Sequence, residues 1–102
     1  MTAEIALSQA ERAIVQAILR THLPPATQAF VFGSRATATA RRYSDLDLAL
    51  EWEKPLNPDI LAAIVEALSE SDLPYKADIL DLRSIDATFR TLIEPDMIAL
   101  AY

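Results

Sequence analysis

Apolar positions along the chain follow a helical period first and a strand period next. From about Ser8 to His22 they recur at helical spacing, and Ser8 with Glu11 has the spacing of a capping box. The apolar run QAFVF, residues 28–32, is typical of a short strand. The first third of the chain therefore predicts one helix followed by one strand.

Strict alternation marks the segment DLDLALEW, residues 45–52. It predicts a strand with Asp45 and Asp47 on one face and large apolar side chains on the other, where they form core. Because this strand follows residues 28–32 closely, the two are expected to pair antiparallel. Such a pair places the end of the first strand beside the start of the second.

The second half of the chain carries clear start and stop signals. An Asn-Pro-Asp sequence opens a helix, and later prolines end elements. The predicted elements are a helix over about 57–71, a strand over 75–82, a helix from Ser84 to Pro95 and a tail, 97–102, that is either a short strand or extended. This order predicts an α+β fold, a small mixed β-sheet packed with helices, in a single domain over residues 1–102.

Composition narrows the class of protein. The net charge of −6 over 102 residues argues against non-specific binding to nucleic acid. The chain has no cysteine, which excludes disulfides and thiolate zinc ligands and favours a reducing compartment. It shows neither a secretory leader nor an apolar run of membrane-spanning length, so we expect a cytoplasmic protein without membrane contact.

The charges are unevenly distributed along the chain. Residues 1–44 hold five arginines against two glutamates, whereas residues 45–102 hold four basic and thirteen acidic residues. The local net charge changes from positive to negative between Arg42 and Asp45. The segment that contains this change, FGSRATATARRYSDLDLAL, also holds the only glycine of the chain, Gly33.

Gly33 and its neighbours have the features of a phosphate-binding turn. If the strands pair as expected, Gly33 and Ser34 lie beside Asp45 and Asp47 despite the ten residues between them. Glycine lets the backbone turn and approach a ligand closely. Ser34 and Arg35 offer N–H groups, a hydroxyl and a cation to phosphate oxygens.

The acidic residues have the features of a metal site. Asp45 and Asp47 share one strand face, and Asp78 joins them if the third strand lies next to the second. Carboxylate oxygens suit Mg²⁺, so the segment predicts a nucleoside triphosphate site, although Asp45 and Asp47 taken singly are better explained as part of a solvated strand face. Asp81 has the opposite parity to Asp78, which predicts a capping or salt-bridge role on the other face.

Together these residues resemble the minimal nucleotidyltransferases of the DNA polymerase beta superfamily, whose signature is Gly-Ser, ten residues, then Asp-x-Asp. Here the signature is Gly33-Ser34 and Asp45-Leu46-Asp47, and the family's third acidic residue matches Asp78 in KADILDL. The resemblance implies the polymerase beta-like fold, with ATP as substrate. It also implies triphosphate contacts of the Gly-Ser turn, Mg²⁺ binding by the Asp-x-Asp pair, and a role as metal ligand or base for Asp78.

Family members this short are similar to the antitoxin half of two-gene systems whose other half is a HEPN ribonuclease. The resemblance implies that the chain transfers AMP from ATP to a tyrosine of a HEPN-type toxin partner. A catalytically silent antitoxin that occludes its partner and a small-molecule nucleotidyltransferase remain as alternatives, and both a homo-oligomer and a hetero-oligomer stay open. One departure is Ala38, where many relatives have glycine.

Overall fold

The structure is a computed structural model that describes residues 4–102. This part of the chain contains three α-helices, four β-strands and two short 3₁₀ turns. In chain order they are α1 (Gln9–His22), β1 (Gln28–Phe32), the turn Gly33–Arg35, β2 (Leu46–Glu51), α2 (Pro58–Glu70), β3 (Ala77–Asp81), α3 (Ala87–Ile93), the turn Glu94–Asp96 and β4 (Ile98–Ala99). No helix in residues 4–102 has the length and apolar character needed to cross a lipid bilayer.

Local capping explains where the first two helices begin. Ser8 and Glu11 form the predicted capping box, in which each side chain accepts from the other residue's N–H at 3.0 Å. Asn57 caps α2 by accepting from the N–H of Asp59 at 2.8 Å. Both helices therefore start at the positions that their capping sequences predict.

The last helix starts later than the sequence predicts. The N–H of Ser84 donates to the carbonyl of Asp81 at 3.0 Å, and the Ser84 hydroxyl donates to the Asp81 carboxylate at 3.0 Å. Ser84 thus belongs to a turn that ends β3. Asp86 caps α3 instead, by accepting from the N–H of Thr88 at 2.6 Å.

The four strands form one mixed sheet in the order β3-β2-β1-β4. β1 and β2 pair antiparallel as predicted, β2 and β3 pair parallel, and β4 lies antiparallel to β1. The C-terminal tail is therefore a short strand, which decides between the two alternatives that the sequence left open. The mixed sheet with its helices confirms the predicted α+β class.

Different helices pack on the two faces of the sheet. α1 and α2 pack on one face, here called the helix-covered face, where these residues are fully buried: Val15, Leu19, Leu46, Leu48, Leu50 and Ile64. The opposite face, here called the open face, carries Asp47 and a smaller cluster of Phe32, Ala49 and Leu82, against which Ile93 of α3 packs. Of the predicted site residues, Asp47 of β2 and Asp78 of β3 lie on the open face.

Candidate active site

Gly33 opens the 3₁₀ turn that follows β1 directly, and its backbone has a φ of +72°. Left-handed backbone of this kind costs a residue with a side chain about 1–2 kcal/mol. Space is a second restriction, because a Cβ on Gly33 would overlap Oδ2 of Asp47 and lie 3.3 Å from its Cγ. A side chain at this position would therefore be disfavoured both by the backbone conformation and by the close approach of the Asp47 carboxylate, which suits the only glycine of the chain.

Three acidic side chains lie at the same end of the open face. Asp47 is the register partner of Asp78 on the parallel neighbour β3, and such strands lie about 4.8 Å apart. Asp45 is exposed and directly precedes β2. Burial, followed by the charges of Asp78 and Asp45, raises the pKa of Asp47 above its ordinary value. The structure thus brings the three predicted carboxylates into one region, where they repel one another.

These carboxylates do not form a ready metal cluster. Among residues 4–102, no three acidic, histidine or cysteine side chains converge closely enough to hold a metal ion. The donor chemistry nevertheless fits Mg²⁺, because this ion prefers oxygen ligands and because a cation would offset the burial and the neighbouring charges that raise the pKa of Asp47. Metal binding by Asp45, Asp47 and Asp78 stays a prediction.

The side chain of Arg35 does not lie where the sequence prediction places it. It is 5% exposed, and its guanidinium donates to the backbone carbonyls of Ala6, Arg42 and Ser44. The ring of Tyr75 stacks on the guanidinium, with its centroid 3.7 Å from Cζ. The predicted contact of this cation with a triphosphate is therefore corrected, because its donors already bind the protein's own backbone.

Tyr75 and Glu11, both half-buried, extend the contacts of the buried Arg35 side chain. The Tyr75 hydroxyl donates to Oε1 of Glu11 at 2.9 Å, the same oxygen that accepts from the N–H of Ser8. Burial and this hydrogen bond raise the pKa of Tyr75 well above its usual range. The capping box identifies Glu11 from the sequence, but a contact across 64 positions of the chain leaves no local signal.

Lys76 places a cation at the edge of the site. Its Nζ lies 3.4 Å from Oδ1 of Asp78, and the side chains of Lys76 and Asp78 are 71% and 48% exposed. An exposed ion pair of this kind contributes roughly 0–1 kcal/mol. Little stability is therefore lost if a ligand draws Asp78 away from Lys76.

The loop that follows Gly33 keeps a glycine-like backbone without a second glycine. Ala38, the departure from the family pattern, has a φ of +63°. Around it, the N–H of Thr39 donates to the carbonyl of Ser34 at 3.2 Å, and that of Ala36 donates to the carbonyl of Gly33 at 3.0 Å. These bonds fix the backbone around Ser34, which is half-buried and follows Gly33 directly.

A glycine turn that faces paired aspartates on a small mixed sheet is the arrangement of a nucleotidyltransferase domain. The family model described as Polymerase beta, Nucleotidyltransferase matches residues 14–100. A probable protein adenylyltransferase MntA of Haemophilus influenzae is 44% identical over 93 residues, which cover 89% of this chain and 79% of that protein. The chain belongs to the polymerase beta nucleotidyltransferase family, as the sequence motif indicated.

Solved structures have the same fold. A chain in a crystal structure of a toxin-antitoxin with AMP-PNP matches with a TM-score of 0.75 at 24% identity, over 88% of this chain and 72% of that chain. A chain in the structure of a tri-AMPylated Shewanella oneidensis HEPN toxin in complex with MNT antitoxin matches with a TM-score of 0.71 at 21% identity, over 93% and 72%. These matches confirm the predicted polymerase beta-like fold.

Proposed function

We propose that this chain is a Mg²⁺-dependent adenylyltransferase that transfers AMP from ATP to a tyrosine hydroxyl of a HEPN-type toxin and so acts as its antitoxin. The main support is the Gly33 backbone, which lies directly against the Asp47 carboxylate, with Asp78 in register beside it. Further support comes from the 44% identical relative named a probable protein adenylyltransferase and from the neighbour that contains a tri-AMPylated HEPN toxin.

The turn of Gly33 and Ser34 supplies the phosphate-binding side of the proposed site. Because Gly33 has no side chain, phosphate oxygens can approach the backbone N–H groups of the turn, and Ser34 adds a hydroxyl. Asp45 and Asp47 supply the opposite side. Mg²⁺ held there would neutralise triphosphate oxygens and lower the pKa of an attacking hydroxyl.

In this proposal Asp78 orients and deprotonates the acceptor. Its side chain is 48% exposed on β3, which is an edge strand, so a hydroxyl of a partner protein can reach it. In the transfer, the tyrosine oxygen forms a bond to the α-phosphorus while the bond from that phosphorus to the bridging oxygen breaks. Pyrophosphate leaves, and the proton of the hydroxyl passes to a carboxylate oxygen of Asp78.

Neutralisation by occlusion alone is the second candidate function. One observation favours it: in the part of the chain that the structure describes, the carboxylates do not converge as a ready metal site. In that case the partner ribonuclease would be inhibited by contact with this chain, and its inhibition would not depend on Asp45 or Asp47. The two functions therefore differ in a property that mutation can test.

The test combines the protein with a HEPN-type ribonuclease from the same genome, Mg²⁺, and ATP labelled at either the α- or the γ-phosphate. AMP transfer predicts label on the partner from α-labelled ATP alone and the release of pyrophosphate. Label from γ-labelled ATP would indicate a kinase. No label from either nucleotide would contradict the proposed function.

Two variants provide the matched comparison for this test. Asp47→Asn should remove the label, whereas Asp59→Asn, the same change on an exposed residue at the start of α2, should keep it. The ribonuclease activity of the partner is measured in the same reactions. If the double variant Asp45→Asn, Asp47→Asn inhibits the partner as well as wild type does, occlusion is the function.

A further inference from the structure

The buried guanidinium of Arg35 joins the two ends of the loop between Gly33 and Asp45. Its Nε and Nη2 donate to the carbonyl of Ser44 at 3.1 and 2.8 Å, and Nη2 also donates to the carbonyl of Arg42 at 3.3 Å. Arg35 ends the turn that Gly33 opens, and Ser44 directly precedes Asp45. One side chain therefore connects the phosphate side of the proposed site to its acidic side.

The same guanidinium anchors the segment before α1. Its Nη1 donates to the carbonyl of Ala6 at 2.7 Å, and the N–H of Ala6 donates back to the carbonyl of Arg35 at 2.8 Å. The side chain is 5% exposed, and all the acceptors named here are backbone carbonyls. Its position is thus fixed by the backbone around the loop rather than by a neighbouring carboxylate.

Tyr75 connects this arrangement to the third carboxylate. Its ring centroid lies 3.7 Å from Cζ of Arg35, and its hydroxyl donates to Glu11 at 2.9 Å. Tyr75 stands three residues before Asp78 in the chain. The contacts of Arg35 therefore reach the segments that lead into both Asp45 and Asp78.

We propose that Arg35 is a positioning residue, which holds Gly33 and Asp45 at the separation that a metal ion and a triphosphate require without touching either ligand. This inference rests on the proposed function. The planar guanidinium presents five donors in a fixed fork, and lysine cannot reproduce their directions with one ammonium group. Arg35 is thus needed for the shape of its donors rather than for a charge directed at phosphate.

The variant Arg35→Lys keeps the charge and removes the fork. In ¹H–¹⁵N NMR spectra of the chain alone, we expect the amide resonances of Gly33 and Asp45 to shift relative to wild type. The Mg²⁺ concentration that half-saturates AMP transfer should rise by about tenfold, the size typical of changes to groups that support metal ligands. At saturating Mg²⁺, KM for ATP should change less than about twofold, because the backbone N–H groups and the hydroxyl of the Gly33–Ser34 turn are all retained.

Arg20→Lys is the matched control, since it makes the same change at an exposed position of α1 and should leave both readouts unchanged. Direct phosphate binding by Arg35 would instead raise KM for ATP and make that KM strongly dependent on salt. A role in stability alone would lower Tm without changing the Mg²⁺ requirement of the folded protein. Either of these results would overturn the positioning role.

Binding of Mn²⁺ in the presence of AMP-PNP, followed by electron paramagnetic resonance, separates this inference from the proposed function. If wild type neither binds Mn²⁺ nor transfers AMP, both fail. If wild type does both and Arg35→Lys binds Mn²⁺ with unchanged affinity, only the positioning role fails.

Should Arg35→Lys not fold, Tyr75→Leu keeps Arg35 and removes the stacked ring. Weaker Mn²⁺ binding by Tyr75→Leu is then expected, and unchanged binding is the contrary result.

Discussion

Two aspartates of β3, Asp78 and Asp81, lie on opposite faces of the sheet and have opposite surroundings. Asp81, 4% exposed on the helix-covered face, accepts three hydrogen bonds, from two backbone N–H groups and the hydroxyl of Ser84. Asp78 is half-exposed on the open face, beside Asp47 and in an ion pair with Lys76. The sequence prediction that Asp81 faces away from Asp78 agrees with this position, but Asp81 binds loop and turn donors and caps no helix, since Asp86 caps α3.

The contrast distinguishes a structural carboxylate from carboxylates that suit a ligand. A carboxylate that accepts several hydrogen bonds stabilises the fold, whereas neighbouring carboxylates without such donors repel one another. On the open face, burial and the charges of Asp78 and Asp45 raise the pKa of Asp47. We infer that the metal-free protein loses stability on this face, and that a bound cation restores it.

Gly33→Ala should have the largest effect on the open face, because it changes both the backbone and the space in front of Asp47. The added Cβ overlaps the Asp47 carboxylate, and the positive φ disfavours alanine. We expect the free energy of unfolding to fall by about 2–4 kcal/mol, with loss of AMP transfer. Urea denaturation measures the first effect, and a change below about 0.5 kcal/mol would show that the turn relaxes without cost.

Asp81→Asn tests the helix-covered face. The new amide group presents N–H donors where the backbone of Leu56 or Arg83 now donates, so one bond becomes a repulsive contact. We expect the free energy of unfolding to fall by about 1–3 kcal/mol. AMP transfer, measured well below Tm and per folded molecule, should be unaffected because Asp81 faces away from the site. Unchanged stability would argue against its structural role.

Asp47→Asn should act in the opposite direction on stability in metal-free protein. Removing one of three neighbouring charges relieves repulsion of about 1 kcal/mol or less, so Tm in the presence of EDTA should rise slightly. AMP transfer should nevertheless be lost, because the variant lacks one of the proposed Mg²⁺ ligands. A fall in Tm would contradict the repulsion on the open face.

The higher Tm expected for metal-free Asp47→Asn should depend on pH. A carboxyl group whose pKa is higher in the folded than in the unfolded protein destabilises the fold as pH rises through the folded value. Since the pKa of Asp47 is raised above its ordinary value of 3.8, wild type should approach the variant in Tm as pH falls from 7 toward 4. A Tm difference that stays constant over this range would contradict the assigned shift.

Ala38→Gly should have the smallest effect, confined to the loop that borders the open face. With a φ of +63° at Ala38, glycine should stabilise the fold by about 0.5–1 kcal/mol. Ala36→Gly is the control, because Ala36 has a φ of −98° in the right-handed region, where glycine is destabilising. Thermal denaturation should shift Tm in opposite directions for the two variants, and equal shifts would contradict this explanation.

Local patterns predicted most of the fold and the core of the site. The capping box at Ser8 and the alternation in residues 45–52 are signals within a few positions, and each predicted the element that is observed. Because the first two strands are close in the chain, their antiparallel pairing also predicted the approach of Gly33 to Asp47. The antiparallel pairing of β1 with β2 therefore accounts for the position of Gly33 beside the acidic end of β2.

Contacts between distant segments could not be predicted in this way. Arg35 bonds to Ala6, 29 positions earlier, and stacks on Tyr75, and no local pattern indicates that a loop arginine is buried. The start of α3 was misplaced for a related reason, since Ser84 is drawn into a turn by Asp81. For Arg35 a hydrogen bond to a distant segment decided its position, and for Ser84 a hydrogen bond across three residues did so.

The central claim is that Asp45, Asp47 and Asp78 form the metal-binding side of a nucleotide site. Calorimetric titration of AMP-PNP into the protein, once with Mg²⁺ and once with EDTA, tests it most directly. We expect binding with Mg²⁺ only, lost in Asp47→Asn and retained in Asp59→Asn. Equal affinity with and without Mg²⁺, or undiminished binding by Asp47→Asn, would contradict the claim.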